Sequence, residues 1–131
     1  MTMKKFSFYL PVILSTLLIV GCEKDYFSPK TVEVTGPVSF ATDIIPILTE
    51  DCAIASCHVS GAESPNLAAA SAFDELTGLG YVDASNPANS RVYKLITGAS
   101  NPVMPPAGNP LLSPEEIGYI LAWIEQGAQN N

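Results

Sequence analysis

"CAIASCH", residues 52–58, sets two cysteines four residues apart and puts the chain's only histidine directly behind the second. Three chemistries use two thiols and an imidazole in that order: thioether attachment of a haem, a small disulfide loop, or part of a metal site. Which of them applies depends on what the flanking sequence builds around residues 52–58.

Upstream, "SFATDIIPILTEDC" carries Phe40, Ile44, Ile47 and Leu48 at helical spacing. Pro46 would break a helix interior, but with Asp43 as N-cap it falls in the first turn, where its missing N–H is not needed. A short helix running directly into Cys52 is expected. Downstream, "SGAESPN" reads as loop, "LAAASAFDELTG" as a helix ended by Gly78, and "NPANSRVYKLITG" as a short helix with Val92, Leu95 and Ile96 inward and Gly98 at its end. The last helix is the clearest. In "SPEEIGYILAWIEQG", Ser113 is an N-cap, Pro114 the first helical residue, and Glu116 completes a capping box. Ile117, Ile120, Leu121 and Ile124 form one apolar stripe, and Gly127 stops the helix. No segment sustains a period-two alternation, so the expected class is all-α.

Between the last two helices lies "GASNPVMPPAGNPLL", with four prolines and two glycines in 15 residues. Neither helix nor strand persists through such a stretch. Long structureless loops inside compact domains are usually functional or disordered, and Met104, followed by two prolines that restrict its backbone, stands at the centre of this one.

The chain has 131 residues, a prior for one domain. Residues 1–21 read as an export signal: Lys4 and Lys5, then an apolar run from Phe6 to Val20 broken by Pro11 and short for a membrane span, which needs about 20 apolar residues. "LLIVGC" resembles a bacterial lipobox, with cleavage before Cys22 and lipidation of that cysteine. Residues 22–37, ending in Gly36-Pro37, read as a flexible tether, and residues 38–131 as the domain. A tether of about 15 residues has a root-mean-square reach of roughly 20 Å.

Processing at Cys22 would leave Cys52, Cys57, His58 and Met104 as the whole complement of free cysteine, histidine and methionine, Cys22 carrying the lipid. It would also leave 13 acids against four bases, a net charge of −9. That balance argues against nucleic acid as a partner, which needs basic patches, and suits either a basic partner surface or simple solubility.

Haem c attachment commonly uses C-x-x-C-H. The histidine adjoins the second cysteine, so its ring is set toward the iron. The spacing between the thiols is less constrained, because extra residues can loop outward, and Ala53, Ile54, Ala55 and Ser56 are of modest size. With a helix before the motif, helices after it, "VMPP" in a loop and a capped final helix containing Trp123, residues 38–128 resemble a monohaem class I cytochrome c. The likeness is to the cytochrome c domains of bacterial lipoproteins, with "FATDIIPIL" before the motif and "LSPEEIGYILAWIEQGA" at the end.

The resemblance implies a small helical domain wrapped around one covalently attached haem c, with the first and last helices crossing. Cys52 and Cys57 would be thioether donors, His58 the proximal iron ligand and Met104 the distal one. The residue count agrees, since one histidine cannot give bis-histidine ligation in a monomer and Met104 is the remaining soft, neutral ligand. Histidine–methionine ligation fills both axial positions and favours electron transfer over oxygen chemistry. The expectation is an electron carrier rather than an enzyme, tethered to the membrane by its lipid and serving redox partner proteins with basic docking surfaces. Glu23 behind Cys22 favours the outer membrane of the cell envelope over inner-membrane retention.

Other readings stay open at this point. Cys52 and Cys57 could close into a disulfide in a haem-free binding lipoprotein, exported compartments being oxidising. A zinc site would need a carboxylate such as Asp51 or Glu63 as fourth ligand. Met104 could be a core gap-filler, and a five-coordinate haem would then bind small gases or peroxide. Arg91, Tyr81, Tyr93 and Trp123 could steady haem propionates, but the aromatics read better as core and Arg91 as a surface charge.

Overall fold

The computed structural model describes residues 31–131, and within them every regular element is helical, with no strand. The expected signal peptide, the lipidated Cys22 and the tether up to residue 30 lie outside the described residues. Among the described residues, no helix is long and apolar enough to cross a membrane.

The first helix starts earlier than its sequence pattern indicates. Ser39, not Asp43, is the N-cap, and a π turn (Phe40–Ile44) leads into α1 (Ile45–Asp51). Pro46 sits in the first turn of α1 and offers no N–H. The wider π turn just before it, in which Ile45 N–H reaches back to the Phe40 carbonyl, lets the chain carry a proline without breaking. Asp43 caps from inside instead: its Oδ2 accepts from Ser39 N–H at 2.8 Å, while Ser39 Oγ accepts from Thr42 N–H. The next two N–H groups go to the far end of the described chain. Phe40 N–H donates to Asn131 Oδ1 and Ala41 N–H to the Asn131 carbonyl, each at 2.9 Å. The orphan donors of this helix start are thus satisfied by a residue about ninety positions away.

Helix α2 (Ala72–Gly78) begins five residues later than its alanine-rich pattern suggests. Residues 66–68 are drawn away by other bonds: Leu67 N–H donates to the His58 carbonyl, and Ala68 N–H to Asn66 Oδ1 in a local turn. A 3₁₀ turn (Pro87–Asn89) precedes α3 (Arg91–Ile96), which buries Val92, Leu95 and Ile96 as expected and ends at Gly98, with φ +71°. Helix α4 (Pro114–Glu125) has both halves of its capping box, Ser113 N–H to Glu116 Oε2 at 2.6 Å and Glu116 N–H to Ser113 Oγ at 3.2 Å.

The core forms where the π turn that leads into α1 meets α4. Ile44, Leu48, Leu76, Ile117, Trp123 and Ile124 are each at most 2% exposed. The Phe40 ring lies 5.0 Å from Trp123 and, edge-on, 5.4 Å from Phe73. Each fully buried side chain of this size contributes about 1.5–3 kcal/mol. Trp123 is core, as read, and its indole N–H is satisfied by the Gln129 carbonyl.

The last residues of the stretch read as tether form a strap on α4. Val32 N–H donates to the Pro114 carbonyl, Gln126 Nε2 to the Gly36 carbonyl, and Val38 N–H to Gln126 Oε1. Gly118 makes room for this strap, since a Cβ there would collide with the Val32 carbonyl.

Candidate functional site

Residues 52–67 make one hydrogen-bonded turn at the C-terminal end of α1. Cys52 and Ala53 N–H both donate to the Leu48 carbonyl and end the helix. Cys57 N–H donates to the Ile54 carbonyl at 2.9 Å, and His58 N–H returns to the Cys52 carbonyl at 3.1 Å. Three of the four intervening residues loop outward: Ile54, Ala55 and Ser56 are exposed while Ala53 packs against the core, and Ser56 takes the left-handed φ of +66° that such a tight turn requires. Cys52, Cys57 and His58 are all half-buried, and both thiols are free.

The imidazole is oriented by a residue the sequence reading passed over. His58 Nδ1 lies 3.0 Å from the Pro65 carbonyl. A carbonyl oxygen only accepts, so Nδ1 carries the proton and the lone pair resides on Nε2. A histidine held in this way is the arrangement metal-ligating imidazoles adopt, with the non-ligating nitrogen donating to a fixed oxygen. The only sequence signal for Pro65 is its position in the short loop after the motif, and any residue could supply that carbonyl.

Electrostatics near α1 keep Cys52 neutral. Burial, then the charges of Asp51, Cys57 and Glu116, push its thiol up to about 12. Asp51 is itself raised, first by desolvation and then by Glu116 and Glu50. A thiol held protonated is a poor nucleophile, so Cys52 itself is a weak attacking group.

Met104 is half-buried in its proline-rich loop, which contains neither helix nor strand, as expected. Its N–H donates to the Leu95 carbonyl at 3.0 Å, so the loop hangs on the C-terminal end of α3. The structure thus brings Cys52, Cys57 and His58 together in one turn and gives Met104 a separate anchor. Met104 is absent from the buried core cluster, unlike a gap-filling methionine. Arg91 is exposed and lies over the Tyr81 ring at 4.5 Å, in keeping with a surface charge.

Two surface recesses lie elsewhere. One, of about 380 Å³, opens between Thr42, Asp43 and Ile47 and the start of α4. The other, of about 280 Å³, lies beside Phe40, Ala69 and Phe73. Neither is lined by the motif residues or by Met104. Among the described residues, no group of three or more His, Cys, Asp or Glu side chains is placed to hold an ion, so Asp51 and Glu63 do not complete a zinc site.

In comparison with known proteins, no family model, no curated relative and no solved structure matches this chain.

The donor set fits a haem c: two unpaired thiols in one turn, an imidazole with Nε2 available beside the second, and one thioether on a loop of restricted backbone.

Proposed function

We propose that this protein is a membrane-tethered electron carrier with one covalently attached haem c. Cys52 and Cys57 would hold the haem through thioethers, His58 Nε2 and Met104 Sδ would be its iron ligands, and lipidated Cys22 would anchor an exported chain in the cell envelope. The observation that carries the reading is the His58 Nδ1–Pro65 bond beside two free thiols, which supports a ligand with its tautomer chosen in advance. When bound, the haem supplies a one-electron ferric/ferrous couple.

The chain's own groups limit what else that couple can do. His58 stays fixed by the Pro65 carbonyl. Met104, on a loop stiffened by Pro102, Pro105 and Pro106, would as second ligand keep water and exogenous ligands off the iron. Two protein ligands on the iron would favour electron transfer over oxygen chemistry. The acidic surface would steer the domain toward partners with basic docking surfaces, with a rate that falls as salt rises.

The test is the visible spectrum of the protein made alongside cytochrome c maturation machinery. Covalent haem, a sharp low-spin reduced spectrum and a methionine-to-iron band lost in Met104→Ala are expected. A high-spin spectrum with prompt carbon monoxide binding would move the function to ligand binding or peroxide chemistry. A colourless folded protein with Cys52 and Cys57 joined would overturn the haem reading.

A further inference from the structure

We infer that Ser90 is a positioning residue for Met104, acting through α3; the inference rests on Met104 being an axial ligand, as proposed above. Ser90 is 1% exposed, and its hydroxyl makes two bonds to one residue. Its Oγ accepts from Asp83 N–H at 2.8 Å and donates to the Asp83 carbonyl at 3.3 Å. The loop between them is folded back by Asp83 itself, whose Oδ1 accepts from Ser85 N–H, Ser85 Oγ–H and Asn86 N–H. One residue into the helix, Val92 N–H donates to the Tyr81 carbonyl at 3.0 Å. The N-terminal end of α3 is clasped to residues 81–83 by these bonds.

The other end of α3 holds the methionine loop. The Leu95 carbonyl accepts from both Gly98 N–H at 3.3 Å and Met104 N–H at 3.0 Å, and the Lys94 carbonyl accepts from Ser100 N–H at 3.1 Å. Helix α3 has six residues, about 9 Å of rise, and is far too short to be stable alone. Its apolar side chains set how deeply it sits, but apolar contact is not directional. Hydrogen bonds are directional, and those at Ser90 fix the helix along its axis and about it. Without the hydroxyl, the Asp83 N–H and carbonyl lose that partner, α3 loosens at its start, and the Leu95 carbonyl moves together with Met104.

The experiment is an imidazole titration of the ferric holoprotein, followed by the methionine-to-iron band, in wild type, Ser90→Ala, Ser90→Thr and Gln126→Ala. An exogenous ligand that must displace Met104 binds more tightly in proportion to the fraction of molecules with Met104 already off. Loss of a buried hydroxyl clasp should raise that fraction, and the imidazole affinity, about tenfold in Ser90→Ala. Ser90→Thr, which keeps the hydroxyl, should restore the wild-type affinity. Gln126→Ala removes two hydrogen bonds from the strap and should lower urea resistance without changing imidazole affinity.

Unchanged affinity in Ser90→Ala overturns the inference, as does an equal rise in Gln126→Ala. A wild-type protein with haem but no methionine band overturns the axial assignment itself, and the inference falls with it. Hydrogen exchange on the wild type gives a result independent of whether Ser90→Ala folds. The Asp83 and Met104 amides should open together, and a Met104 amide that opens while Asp83 stays protected overturns the clasp.

Discussion

His58 Nδ1 donates to the Pro65 carbonyl across 3.0 Å, which selects the imidazole tautomer before any ligand is present. The bond belongs to the protein alone, so the haem-free chain should already show it. At a pH where the ring is neutral, ¹⁵N NMR of the haem-free protein should place the proton on Nδ1. A proton on Nε2 would show that the ring is not pre-set.

The same turn makes a prediction about its thiols. With Cys52 pushed up to about 12 chiefly by burial, its thiolate population at neutral pH lies about three orders of magnitude below that of an ordinary cysteine. In the folded haem-free protein, Cys52 should resist iodoacetamide and become reactive in denaturant. Mass spectrometry of the labelled peptides distinguishes it from Cys57.

Asp51 and Asp83 should leave opposite marks on stability against pH. Asp51 is raised in the folded state, by burial and by Glu116 and Glu50, so the native form binds its proton more tightly than the unfolded chain does. Its ionised form therefore costs stability above the folded pKa, and the cost fades as pH falls through that value. Asp83 is lowered, chiefly by the Ser85 hydroxyl, so its contribution is present above the unfolded pKa and is lost as pH falls through the folded one. Asp51→Asn should raise the urea midpoint at pH 7 and leave it unchanged at pH 3. Asp83→Asn should lower the midpoint at pH 7, with the difference closing in acid.

Gly118 and Val32 test the strap. Alanine is favoured over glycine inside a helix by about 1 kcal/mol, but here the added Cβ meets a backbone carbonyl that has little freedom to retreat. Overpacking of this kind costs about 1–3 kcal/mol. Gly118→Ala should therefore destabilise the domain by about 1 kcal/mol net, with faster exchange at the Val32 amide. A variant stabilised by the full helix preference would show that the strap carries no stability.

Much of the helical framework was legible along the chain. The capping box of Ser113 and Glu116, the buried face of Val92, Leu95 and Ile96, and the stops at Gly98 and Gly127 are short-range features, each decided by residues within a few positions. So was the outward course of Ile54, Ala55 and Ser56, because two bonds closing on Cys57 and His58 leave those side chains facing solvent.

Other features depend on partners far away in sequence. The first helix starts at Ser39 rather than Asp43 because Asn131 supplies acceptors for its leading N–H groups. Helix α2 starts late because the His58 carbonyl claims Leu67.

What the sequence determined by itself is the helical class, the order thiol–thiol–imidazole and the stiffness around Met104, all properties of residue type and local spacing. What only the tertiary structure decided is which oxygen orients His58, which carbonyl holds Met104 and where the strap runs. Those partners are mostly backbone carbonyls, which every residue carries alike, so their choice is written in the packing and not in the side chains.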